Sequence, residues 1–299
     1  MLKILILGGS GLLGKKLVEK ASDSFEVIST FNNHKIEHSK SRTIRIKLPD
    51  EFFNLKSLIF NERPNLIINT IANTNIDYCE QHKTETYLLH VEMNKQIFKL
   101  CEDVASKFIF ISSDYVFDGK KGDYMEYDKT SPVNYYGETK AIAESIILQN
   151  PINTVLRSSL IYDWDPQVRF LNFVVDKLRK NENIQAYDDF LTAPIFLEDL
   201  VGSIIKAVEK NVSGIYNLAG PSCVTRMDFA LAIAKKFNFD RNLIEPVSVK
   251  SSNLIAERPR NSSLNKIKAE KDLDIKFRSI EEGINEVYKK YKIENPTKH

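Results

Sequence analysis

The sequence predicts an α/β protein, a doubly wound parallel sheet with a smaller C-terminal substrate-binding domain. Two observations carry this. Short apolar runs alternate with stretches of helical period through the first half, a pattern that closes into a parallel sheet covered on both faces. A glycine-rich turn, Gly8-Gly9-Ser10-Gly11-Leu12-Leu13-Gly14, joins the first apolar run to the first helix.

Leu2–Gly9 reads as a buried strand and Leu12–Ala21 as the helix after it. Strands follow at Glu26–Phe31 and Thr43–Leu48, then a helix at Phe52–Asn61 and a strand at Asn65–Asn69. Helical spacing runs through Thr84–Cys101, ahead of the strand Phe108–Ile111, the helix Gly137–Leu148 and the strand Asn153–Arg157. Beyond that point the pattern loosens. Helices are expected at Val168–Arg179, Leu197–Glu209, Arg226–Phe237 and Ser279–Tyr291, with strands near Ile184–Tyr187 and at Gly214–Leu218. No Gly/Ser-rich linker separates the halves, so they should pack together and share a sheet. Residues 1–157 are expected to form the NAD(P)-binding domain and 158–299 mainly the substrate-binding domain, with about 184–219 returning to the sheet.

Bulk properties exclude several classes. At 299 residues, 42% hydrophobic and 27% charged, the chain is an ordinary soluble globular protein. A net charge of +2 is too near neutral to argue for nucleic acid or an anionic membrane. Cys79, Cys101 and Cys223 are widely spaced, which suits a reduced, cytoplasmic protein and supports neither a disulfide framework nor a zinc site. The apolar run Ile4–Leu7 is too short for a signal peptide, and no stretch reaches the roughly 20 apolar residues needed to span a bilayer.

The glycine turn satisfies G-x-G-x-x-G through Gly9, Gly11 and Gly14, and G-x-x-G-x-x-G through Gly8, Gly11 and Gly14. It lies between strand and helix, as a Rossmann-type dinucleotide site requires. The amides of Leu12 and Leu13 then open the helix toward a pyrophosphate. The second strand runs into Asn32-Asn33-His34-Lys35, with no carboxylate to hold a ribose 2′-hydroxyl. Lys35, or His34 if protonated, could meet a 2′-phosphate. NADPH is therefore favoured, with NADH allowed.

The reactive group is expected where the strand Phe108–Ile111 delivers Ser112 and Ser113, some two dozen residues before Tyr136 and Lys140. Four residues apart on a helix, Tyr136 and Lys140 share one face. A serine hydroxyl can bond a carbonyl oxygen, a phenol can protonate it, and an ammonium lowers the cost of the tyrosinate. Ser113, beyond the strand end, is the better placed serine. Asp114, Tyr115 and Asp118 are expected to shape the next loop. With 12 tyrosines in a lysine-rich chain, Y-x-x-x-K arises about once by chance. Tyr288 and Lys292 supply that decoy, expected on a solvated helix face. The histidines show no zincin spacing, and there is no G-x-S-x-G elbow for a serine hydrolase.

With these residues the sequence resembles the extended short-chain dehydrogenase/reductase family, and within it the dTDP-4-dehydrorhamnose reductase group. The landmarks are GGSGLLG, the run Asn69–Asp77, SSDYVFDG and YGETK, then Leu156-Arg157-Ser158-Ser159, Asn172-Phe173-Val174, Ala193-Pro194 with Glu198-Asp199-Leu200, Gly214–Gly220 and Arg258–Leu264. The resemblance implies that Ser113 takes a place usually held by threonine, Tyr136 donates the proton and Lys140 grips the nicotinamide ribose. It implies Gly8, Gly11, Leu12, Leu13, Gly14, Asn32, His34, Lys35, Ala72 and Lys140 at the cofactor. It places Thr74, Ser113, Tyr136, Asn172 and Arg258 at a sugar-nucleotide substrate whose 4-keto group is reduced, for surface polysaccharide precursors such as dTDP-rhamnose. A homodimer is compatible with it.

Five positions depart from the family pattern. Lys47 replaces an aspartate near the adenine, His90 an asparagine behind the catalytic tyrosine, Leu160 a tryptophan of the substrate pocket, and Phe190-Leu191 a polar–glycine pair. Two alternatives stay open: an epimerase or dehydratase of the same family, and a regulatory subunit resembling the β subunit of methionine adenosyltransferase.

Overall fold

A computed structural model describes residues 1–34 and 39–296; Lys35 lies outside the described residues. In chain order the elements of the first half are β1 (Lys3–Leu7), α1 (Leu12–Ala21), β2 (Glu26–Phe31), β3 (Ser41–Arg45), α2 (Phe52–Glu62), β4 (Leu66–Asn69), α3 (Ile76–Gln81), α4 (Lys83–Tyr87), α5 (Met93–Asp103), β5 (Lys107–Ser113), α6 (Tyr135–Ile147) and β6 (Thr154–Ser158). Then come β7 (Ile161–Tyr162), α7 (Arg169–Arg179), β8 (Ile184–Tyr187), β9 (Leu191–Thr192), β10 (Ile195–Phe196), α8 (Leu197–Glu209), β11 (Gly214–Leu218), β12 (Val224–Thr225), α9 (Arg226–Phe237), β13 (Ile244–Val247), α10 (Ile267–Leu273) and α11 (Ile280–Glu294).

The main sheet has seven strands in the order β11-β6-β5-β4-β1-β2-β3, all parallel. Strand order reverses between β1 and β4, and in such sheets ligands bind outside the carboxyl ends at that switch point. Successive side chains point to opposite faces, and the core divides accordingly. Ile4, Ile6, Ile68, Ile109 and Ile111 pack under α1, α8 and α10, while Leu5, Leu7, Ile67, Phe108 and Phe110 pack under α2, α5 and α6. A separate cluster joins α7, α9 and α11 through Leu171, Val174, Phe229, Ile233, Ile284 and Val287. Helix α6 is tied to β6 by a buried ion pair, with Arg157 Nη2 2.7 Å from Glu144 Oε2.

Of the two strands expected to return to the sheet, β11 does so, pairing with β6 at its edge. The other does not. β8 pairs with β13 in a small parallel ladder, because Ile184 and Ala186 are buried while Gln185 is exposed. Such alternation suits a ladder covered on one face only. The helix expected through Thr84–Cys101 is also broken. Asn75 caps a new helix by accepting from the Tyr78 amide at 3.2 Å, and a π turn at Leu88–Glu92 separates α4 from α5. The π turn carries His90 and Val91 inward, and single π turns are frequent at functional sites. β3 starts earlier than its apolar run, as its side chains are half-buried or exposed and carry little pattern. Among the described residues no helix is long and apolar enough to cross a membrane.

Candidate active site

The glycine turn is held by backbone. Gly8 sits at φ +82°, open to glycine at little cost. Its amide reaches Thr30 Oγ1 at 3.3 Å, the Gly9 amide donates to Thr30 O at 2.7 Å, and the Gly11 amide to Gly8 O at 3.0 Å. A Cβ on Gly14 would lie 2.1 Å from Gly8 O, so a side chain there would push α1 off the strand. Gly11 is the N-cap of α1, without a side-chain cap or an acidic residue in the first turn. The helix thus opens at Leu12 and Leu13 with its amides and positive end uncommitted to side chains, which suits a pyrophosphate.

At the end of β2, Asn32 Oδ1 is buried with no partner among the described residues. An orphaned acceptor beside such a turn fits a donor on a dinucleotide. His34 is exposed after β2. Thr70 Oγ1 donates to Leu7 O at 2.7 Å, tying the segment that carries half-buried Ala72 to the turn. These features fit NAD(P).

β5 ends at Ser113, two residues beyond its expected end. Ser113 is 7% exposed; its Oγ donates to Asp114 Oδ1 at 2.9 Å and accepts from the Tyr115 amide at 3.2 Å. The neighbouring Ser112 Oγ is buried without a partner. Tyr136 stands in the first turn of α6, which Asn134 caps by accepting from the Gly137 amide at 2.9 Å. Gly137 lets that turn approach the Asp114–Val116 turn: a Cβ would lie 2.0 Å from Tyr115 O. One turn on, buried Lys140 donates from Nζ to Ile111 O at 2.9 Å, with Nζ 5.9 Å from the centre of the Tyr136 ring.

The electrostatics follow from burial. Burial pushes the Tyr136 phenol above its ordinary pKa, and interaction with the Ser113 hydroxyl pulls it part of the way back. Burial lowers the Lys140 ammonium to about 8, with Glu144 opposing. A cation in this setting favours the tyrosinate that proton transfer would leave.

Three neighbours complete the site. Asp114 is buried and accepts from Ser113, from Ser159 at 3.1 Å and from Ser262 at 2.7 Å. Burial raises its pKa while those hydroxyls oppose the rise. Tyr115 meets the Tyr136 ring edge-on at 5.9 Å, and burial raises its phenol to about 12. Tyr115 was expected only to shape a loop, yet it packs on the Tyr136 ring; its place two residues after Ser113 was the available signal. Asp118 does shape the loop, accepting from Tyr124 Oη at 2.6 Å and from the Lys120 amide.

His90 is buried and meets Tyr136 edge-on at 5.6 Å. Its Nε2 accepts from the Asn73 amide at 3.0 Å, so the proton sits on Nδ1, 3.0 Å from Thr139 Oγ1. Thr139 Oγ1 in turn donates to Tyr136 O at 2.9 Å. Burial, with help from the Lys140 charge, lowers the imidazole to about 3.

Of the remaining expected residues, only Arg258 is linked to this group among the described residues. Arg258 bonds Asp77 Oδ1 at 3.0 Å and bears electrostatically on Tyr115. Thr74 is exposed just ahead of the α3 cap. Asn172, on α7, donates to Asp165 O at 2.8 Å, and its Oδ1 is buried without a partner among the described residues. Lys47 pairs at the surface with Asp50. The decoy pair lies on α11, and Tyr288 is half-buried against Phe237 with ring centres 4.9 Å apart. The solvated face expected there is instead part of the α9–α11 aromatic packing. Among the described residues no cluster of His, Cys, Asp or Glu could hold a metal.

A parallel seven-stranded sheet with this turn and this Ser–Tyr–Lys group is that of an extended short-chain dehydrogenase/reductase. The chain belongs to the family of the RmlD substrate binding domain, whose model matches residues 2–293. It is 30% identical to the dTDP-4-dehydrorhamnose reductase of Aggregatibacter actinomycetemcomitans, over 92% of this chain and 94% of that protein. It is 25% identical to methionine adenosyltransferase 2 subunit beta of Bos taurus, over 88% and 80% of the two chains. The dTDP-4-dehydrorhamnose reductase of Bacillus anthracis, solved in complex with NADP, superposes with a TM-score of 0.84 at 22% identity, over 97% of this chain and all of that one, and so shares the fold.

Proposed function

We propose that the protein reduces the 4-keto group of a nucleotide-activated 6-deoxy sugar, taking its electrons from NADPH. The observation that carries this is the convergence of Ser113, Tyr136 and Lys140 at the carboxyl end of β5, in the same parallel sheet whose β1 leads into the glycine turn, with β4 between them. The relatives named as reductases support the same chemistry.

When bound, NADPH supplies the hydride. Gly8, Gly11, Leu12, Leu13 and Gly14 would hold its pyrophosphate, Asn32, His34 and Lys35 its adenosine end, and Ala72 and Lys140 its nicotinamide end. The protein's own part is proton transfer. Ser113 orients the carbonyl through its oxygen, and Tyr136 gives its phenolic proton to the oxygen as negative charge develops there. Lys140 stabilises the tyrosinate left behind. In the structure the Ser113 proton is donated to Asp114 Oδ1 at 2.9 Å; to bond the carbonyl oxygen, itself an acceptor, the hydroxyl turns that proton to the substrate. Thr74, Asn172 and Arg258 are the substrate-side residues. Residues 1–157 act as the cofactor domain and 158–299 mainly as the substrate domain.

A regulatory role like that of the adenosyltransferase subunit is the second reading, favoured by that resemblance. Retention of the Ser–Tyr–Lys group supports the enzyme. The free thiols Cys79 and Cys101, both buried, suit a cytoplasmic setting, and a homodimer is compatible with the resemblance, checked by sedimentation. The decisive experiment is a panel of 4-keto nucleotide sugars screened for NADPH oxidation. Turnover supports the reductase; binding of all cofactors without oxidation by any substrate favours the regulatory reading.

A further inference from the structure

Arg226 opens α9, on the substrate-domain side, and the site described so far does not use it. Its Cζ lies 4.9 Å from the Phe170 ring centre and 5.5 Å from that of Phe190. Its Nη1 is buried with no hydrogen-bond partner among the described residues. Aromatic faces attract a guanidinium but leave its in-plane donors unanswered, and a buried donor of a charged group left unpaired is costly. Thr225, just before Arg226, pairs with Leu191, and the adjoining Thr192 bonds Asp114 Oδ2 at 3.4 Å, which sets the start of α9 beside the Asp114–Tyr115 turn. Burial lowers the Arg226 pKa, and Tyr115 and Asp114 oppose that. Arg258 acts in the same sense as burial, so two guanidiniums repel each other beside Tyr115, the neighbour of the reactive Tyr136. Among the described residues, Arg258 has a carboxylate partner, Asp77, and Arg226 has none.

A guanidinium with an open buried donor, within electrostatic reach of a second one, forms half of an oxyanion site. We propose that Arg226 is a substrate-binding residue that takes an oxyanion of the sugar nucleotide, on the Tyr115 side of the site and in concert with Arg258. This rests on reading the site as one for nucleotide sugars. The oxyanion has two sources, the diphosphate or a carboxylate carried by the sugar. Phe170 and Phe190 fix the plane of the guanidinium, and Phe190 is one of the residues at which the chain departs from its family.

The test is equilibrium binding to the NADP-loaded protein, read by calorimetry without turnover, so it stands whether or not any sugar is reduced. The probes are UDP, dTDP, UDP-glucose and UDP-glucuronic acid, against wild type, Arg226→Gln and Arg226→Lys. NADPH affinity, unchanged in a variant, shows that the fold is kept. If the diphosphate is the ligand, Arg226→Gln weakens all four probes on the order of 30-fold, the loss of one charge-assisted hydrogen bond. If a sugar carboxylate is the ligand, wild type prefers UDP-glucuronic acid to UDP-glucose and Arg226→Gln erases that preference while UDP binding stays the same. Arg226→Lys keeps the charge but not the fork, so it should fall between, and it serves alone if the glutamine variant does not fold. Affinities within twofold of wild type for every probe in the variants that fold would overturn the proposal.

Discussion

Replacing His90 by asparagine should make the protein more resistant to acid. The buried imidazole, with Nε2 accepting from the Asn73 amide and Nδ1 against Thr139, is held neutral down to a pKa of about 3. In the unfolded chain a histidine titrates near 6.5. Between those values the unfolded state binds more protons than the native one, so stability rises with pH and is lost as pH falls. Taking 6.5 and about 3 as the two pKa values, the loss is about 0.2 kcal/mol at pH 7 and about 2 kcal/mol at pH 5. Asparagine does not titrate. Whatever the substitution costs in packing and hydrogen bonding is present at both pH values and cancels in the difference. Urea unfolding of both proteins at pH 7 and pH 5 measures it: stability should fall by about 2 kcal/mol more in wild type than in His90→Asn. Parallel losses in the two proteins would refute the reasoning and mean that the imidazole titrates normally in the native state.

Four further outcomes are expected. Tyr136→Phe should bind NADPH as wild type does and lose nearly all turnover, measured by isothermal binding and steady-state rates, while Tyr288→Phe should leave the rate unchanged. kcat/KM should fall about tenfold per pH unit above about 8, because the Lys140 ammonium, lowered to about 8 by burial, loses its proton there; a flat profile to pH 10 would contradict its role. Gly14→Ala should weaken NADPH at least tenfold in a binding titration and lower stability, since the added carbon meets Gly8 O at 2.1 Å. Lys35→Ala should weaken NADPH more than NADH, and equal effects on the two cofactors would mean the lysine does not read the 2′-phosphate.

The sheet was legible because its strands are covered on both faces and stand out as apolar runs between helices of regular period. Glu26–Phe31 and Leu12–Ala21 lie where the pattern puts them. β8 misled because four residues that alternate between buried and exposed carry no sign of which ladder they join; only their partner, Ile244–Val247, decides it. The break before α5 was hidden for a different reason. A π turn inserts one residue without changing composition, so Thr84–Cys101 keeps an apolar pattern that one unbroken helix would also show. In the site, Ser113, Tyr136 and Lys140 were legible through order and spacing, and the decoy Tyr288 was separable because no serine-bearing strand precedes it. Arg226 and His90 show what spacing does not carry. The open donor of one and the Asn73–His90–Thr139 chain of the other depend on residues far apart in sequence that meet only in the fold.

The most direct test of the central claim follows the hydride itself. NADPH carrying deuterium at both nicotinamide C4 positions is incubated with the protein and a dTDP-4-keto-6-deoxy sugar, and the product is read by NMR. The account predicts one cofactor oxidised per sugar reduced, deuterium on the sugar carbon that bore the carbonyl, and no product with Tyr136→Phe. A product formed without net oxidation of NADPH, or one with no label at that carbon, would contradict it.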